Sequence, residues 1–181
     1  MTGNTDNKPQ GRIAAYSALI ESADGLTLGQ VCALSGLEPT TVQNWIKRGF
    51  VPHPVRKKYY QRHLARILLI AQLRESMQID RVGELLSYVN GDTDDESDDL
   101  LPEEDLYDIF YRICSELDEQ IPSPDEVSEL VRRAAGDLTG VCADSEKLLH
   151  ALNVMACTHL SNLYKQKADD LFREYCVHQG E

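Results

Sequence analysis

Eight basic residues (Lys47, Arg48, Arg56, Lys57, Lys58, Arg62, Arg66 and Arg74) and no acid lie between Pro39 and Arg74, in a 181-residue chain of formal net charge -12. A molecule this acidic repels polyanions over most of its surface, so a local basic island is where phosphates would be met. Within it Thr40, Thr41, Gln43, Asn44, Lys47 and Arg48 fall on the polar side of a helical period, and Val42, Trp45 and Ile46 on the apolar side. Amide side chains match base edges, and lysine and arginine bind phosphate oxygens. Double-stranded DNA is the partner that this chemistry fits, with Gln43 and Asn44 as the candidate base readers.

The elements that must hold these residues are legible around them. Thr27 and Gln30 have the spacing of a capping box, which predicts a helix over 28–35. Gly36 permits a sharp turn, and Pro39 suits the first turn of a second helix running to Arg48 and stopping at Gly49. Ahead of this pair, 13–22 has the spacing of a short helix. Beyond it Pro52 and Pro54 disfavour helix, so Arg56, Lys57, Lys58 and Tyr59 are expected on a small hairpin or extended wing. Leu64, Ile67, Leu68, Ile70 and Leu73 predict a helix over 61–77. Asp80 is expected to cap a further helix carrying Val82, Leu85, Leu86 and Val89.

Between Gly91 and Glu119 there are thirteen acids against one base, Arg112. A like-charge run such as GDTDDESDD repels itself, so 91–101 is expected to be a solvated linker. It divides the chain into a polar lead-in (1–12), a basic head (13–90) and a helical tail (102–181). In the tail, Leu106, Ile109, Phe110, Ile113 and Leu117 form one stripe, and Ser123-Pro124-Asp125-Glu126 is a second capping-box start. Residues 144–177 keep helical apolar spacing without Gly or Pro, and no strand pattern occurs in this half. The fold expected is all-α, with a small wing in the head.

The segment TLGQVCALSGLEPTTVQNWIKRGFVP, a basic turn with KKYY and a following long helix resemble the winged helix-turn-helix DNA-binding domain of MerR-type regulators. The whole chain is also similar to a bacterial family of unknown function in which a MerR-like head precedes a helical tail. The resemblance implies that the helix over 40–48 lies in the major groove. It also implies that Arg56, Lys57, Lys58 and Tyr59 contact backbone phosphates. Asn44, Trp45, Ile46 and Lys47 stand where MerR sequences often place a tyrosine and an acid.

Other classes find little to rest on. Five cysteines at wide spacing argue for reduced, mostly buried thiols rather than a disulfide framework. Cys157/His159 and Cys176/His178 are two apart, which on one helix points them to opposite sides, so no metal or other cofactor is expected. Phosphate-loop, nucleophile-elbow and zinc-protease motifs do not occur, and no enzymatic activity is expected. The longest apolar run, LLIAQL at 68–73, falls far short of a membrane span, so a cytoplasmic protein is expected. The sequence thus points to a DNA-binding transcriptional regulator, with the apolar C-terminal helix as a homodimer surface and an unknown effector acting on the tail. The alternatives are an adaptor whose head docks protein and an excisionase-like architectural factor that bends DNA.

Overall fold

The computed structural model describes residues 13–119, 122–136 and 142–178. Among them the chain is all-α, with α1 (Ala14–Ser22), α2 (Leu28–Ser35), α3 (Pro39–Lys47), α4 (Gln61–Leu73), α5 (Ile79–Asn90), α6 (Glu103–Glu119), α7 (Pro124–Ala135) and α8 (Ser145–His178). The capping box forms as expected. The Thr27 hydroxyl accepts the Gln30 amide at 3.3 Å, and the Gln30 side chain accepts the Thr27 amide at 2.8 Å. Gly36 leaves α2 at φ 69°, a left-handed conformation that costs other residues strain, and α3 follows with Pro39 in its first turn.

Helix α4 is the centre of the molecule. Leu64, Ala65, Ile67, Leu68, Leu69, Ile70 and Leu73 are all buried, and α1, α2, α5, α6 and α8 pack around it. It ends four residues before the expected 77, and residues 74–76 turn instead. Gln78 rather than Asp80 is the N-cap of α5. Asp80 sits in the first turn, where a carboxylate suits the positive end of the helix dipole, and takes a 2.6 Å ion pair from Arg48.

The expected wing is reduced to one tight turn, and the described residues contain no strand. Val55 and Lys58 exchange two backbone hydrogen bonds at 2.9 and 3.0 Å, and Tyr59 pairs with Leu26 at 2.7 and 2.9 Å. Pro52 and Pro54 remove the amides that would extend such a ladder.

Residues 91–101, expected as a solvated spacer, are fastened to the head. The His53 amide donates to Asp94 at 2.9 Å, the Thr93 hydroxyl to the Gly49 carbonyl at 3.0 Å, and Arg62 pairs with Glu96. The backbone and side-chain bonds from His53, with a smaller contribution from nearby Arg62, hold Asp94 below the usual carboxylate range. Asp99, partly buried and beside Glu103, is pushed up to about 6. Leu101 is buried, and the first turn of α6 places Glu103 against Arg66 of α4 as a buried ion pair. A continuous core then runs from Ile13 to Leu160 across α1, α4, α6, α7 and α8.

Candidate nucleic-acid interface

Helix α3 divides its surface as its sequence predicts. Val42 and Trp45 are buried and Ile46 is half-buried, whereas Thr40, Gln43, Asn44, Lys47 and Arg48 are exposed and Thr41 is half-buried. Its exit is braced by α5. The Arg48 guanidinium lies 4.6 Å from the Phe50 ring centroid, and Phe50 packs so closely on Gly83 that a Cβ there would stand 2.7 Å from the ring. A bulkier residue at 83 would push this junction apart.

The turn carries a second set of cations. Arg56 and Lys57 are exposed at its tip with φ 50° and 64°, the positive values a two-residue type I′ hairpin demands and that Asn and Gly usually supply. Two non-glycine residues there store backbone strain, about 1–2 kcal/mol each. Lys58 is engaged elsewhere, its ammonium donating to the carbonyls of Ala23 and Gly25 at 3.1 Å each. Tyr59 is only 4% exposed, and its ring meets His63 edge-on in the core. Lys58 and Tyr59 therefore build the turn, and Arg56 and Lys57 present it.

His63 secures the base of the turn. Its Nδ1 accepts the Tyr60 amide at 3.1 Å, which requires a bare nitrogen, so Nε2 carries the proton and donates to the His53 carbonyl at 3.1 Å. Burial depresses its pKa, opposed by the His53 carbonyl and helped by nearby Arg62. The neutral ring is thus the form that this geometry needs.

Of the four described cysteines Cys114 is buried, Cys32 and Cys142 are half-buried and Cys157 is exposed, so burial is less general than composition suggests. His159 bonds Asp118 at 2.9 Å, and the side chains of Cys176 and His178 lie outside the described set. Among the described residues no three His, Cys, Asp or Glu side chains converge as a metal-binding group, and no helix is long and apolar enough to cross a membrane. Arg74 was part of the basic island but its spacing suggested no role; its guanidinium stands 5.5 Å from the Trp45 ring centroid. Lys165 shares a cleft with Trp45 and Arg74 although it is distant in sequence, a proximity that no local pattern could reveal.

An all-α protein with two short helices about a tight turn, followed by a strained basic turn, is the class these features define. Residues 26–110 match the family described as a domain of unknown function (DUF1836). Over 78 residues the chain is 33% identical to the uncharacterized protein YkrK of Bacillus subtilis (strain 168), an alignment covering 41% of this chain and 34% of the relative. The chain thus spans about a third of the length of that curated relative. No solved structure matches the chain.

Proposed function

We propose that this chain is a sequence-specific DNA-binding transcriptional regulator acting as a homodimer, with α3 in the major groove and the turn at 55–58 on flanking phosphates. The observation that carries this reading is exposed, unpaired charge on both α3 and the basic turn. Arg48 pairs with Asp80 and Arg62 with Glu96, while exposed Lys47 on α3 and Arg56 and Lys57 at the turn have no ion pair among the described residues, a state they share with Arg74, Arg81, Lys165 and Lys167 elsewhere. In a chain with 30 acids to 18 bases, Lys47, one helical turn from Gln43, and the two cations of the turn are available to an external anion. The resemblance of TLGQVCALSGLEPTTVQNWIKRGFVP to MerR-type heads favours the same placement, with the single turn standing in for a wing.

Pairing is supported by the far half of α8. Tyr164, Ala168, Leu171 and Tyr175 follow one another at steps of four, three and four, and all are exposed, the large ones between 52% and 60%. That spacing is a coiled-coil seam. Two copies aligned antiparallel would also set Lys167 of each copy opposite Glu174 of the other.

Selection of bound sequences from a random duplex pool at about physiological salt tests the reading, and a palindromic motif is expected. Gln43→Ala or Asn44→Ala should then relax preference at defined positions, and Lys57→Ala should weaken all duplexes alike and lower the salt slope by about 1. Absence of enrichment together with absence of salt-dependent duplex binding would overturn it in favour of a protein-docking head.

A further inference from the structure

A cleft of about 660 Å3 opens where the end of α3, the α4–α5 turn and the middle of α8 meet. Three cations from three elements line it, Arg48 after α3, Arg74 after α4 and Lys165 on α8, against one acid, Glu75. That acid accepts a hydrogen bond from buried Asn162 and keeps its charge, so the two free cations, Arg74 and Lys165, outnumber it by one. Arg48 shares its charge with Asp80. Arg74 and Lys165 are exposed, and neither has an ion pair among the described residues. Ser76 and Ser161 add hydroxyl donors on the same walls.

The volume suits a small ligand, and although Trp45, Met77 and Ile79 contribute apolar wall, the unpaired guanidinium and ammonium with two hydroxyls favour a compact, multiply charged anion. We propose that this cleft binds a phosphate group, supplied either by a free phosphate-bearing molecule or by the backbone of bound DNA. The two unpaired cations, Arg74 and Lys165, carry the site, with Arg48 at its edge. An anion held between Lys165 on α8 and Arg48 at the exit of α3 ties the tail to the helix proposed to read bases, so occupancy and α3 position become linked. The free-anion form stands without DNA recognition, whereas the backbone form rests on it.

Trp45, the single tryptophan of the chain, lines the cleft beneath Arg74 and reports on its occupancy. The full-length protein is titrated with pyrophosphate against sodium chloride of matched ionic strength while Trp45 emission is followed. A saturable change is expected, with its midpoint raised about tenfold or more in Arg74→Gln/Lys165→Gln, a variant altered only at exposed side chains and checked for native helicity by circular dichroism. If pyrophosphate leaves Trp45 unchanged, that variant should bind duplex about tenfold more weakly, with unaltered sequence preference and a salt slope smaller by about 1, which identifies backbone phosphate as the occupant. A saturable response that the variant leaves intact overturns the proposal. So does a silent Trp45 together with unaltered duplex binding. If no duplex binds at all, the pyrophosphate titration alone decides.

Discussion

At the scale of single residues, the turn tip gives up stability in order to present charge. Arg56 and Lys57 hold positive φ without being glycine, and relief of that strain should be measurable. Lys57→Gly is expected to raise stability by about 0.5–1 kcal/mol in urea unfolding, the left-handed cost recovered less the entropy a glycine adds to the unfolded chain, while lowering duplex affinity. His63 supplies a pH dependence. Its pKa is lower in the folded state, so the stability it contributes is full above about 6.5 and is lost as pH falls below that value. Replacing it with Gln should flatten the acid limb of a stability–pH profile below about pH 6.5, at the cost of a lower plateau at neutral pH. The identity of Gln43, Asn44, Lys47, Arg56 and Lys57 as exposed polar groups was legible from helical period and proline placement. The engagement of Lys58 and Tyr59 was not, because it depends on Leu26 and the end of α1 reaching back to the turn.

At the scale of elements, α4 and α6 are joined by Arg66 and Glu103, whose side chains are 1% and 5% exposed. Arg66 also donates to the Phe50 carbonyl at 3.1 Å, so one guanidinium connects the exit of α3 to the start of α6. Removing one member of a buried pair strands the other charge. Glu103→Ala should therefore cost about 3–5 kcal/mol, and Arg66→Met/Glu103→Leu should recover most of that loss, both read from urea midpoints. The helices themselves were largely readable, since Thr27/Gln30 and Ser123/Glu126 cap α2 and α7 as their spacing predicts. The cap of α5 was misread, because Asp80 is drawn to Arg48, thirty-two positions away, rather than to its own helix amides.

At the scale of the whole molecule, the acidic segment joins two halves that its composition would hold apart. The family match over 26–110 runs through it into α6, in keeping with α4 packing on α6 and with the Arg66–Glu103 pair. Beyond this body the far end of α8 stands with Tyr164, Leu171, Phe172 and Tyr175 exposed. Leu171→Glu/Phe172→Glu is expected to convert the proposed dimer to a monomer in sedimentation equilibrium while leaving the thermal melt of the core nearly unchanged. It should also weaken binding to a palindromic duplex by about 100-fold or more, through loss of effective concentration. A variant that sediments like the parent would exclude this seam.

The sequence by itself determined the all-α class, the caps of α2 and α7, the buried stripe of α3 and the existence of one basic island, because these follow from spacings of two to four residues. Tertiary structure alone decided which cations stay unpaired, that 91–101 is bonded to the head, and that Arg48, Arg74 and Lys165 line one cleft. Those outcomes depend on groups tens to more than a hundred positions apart, and local periodicity carries no information at that separation.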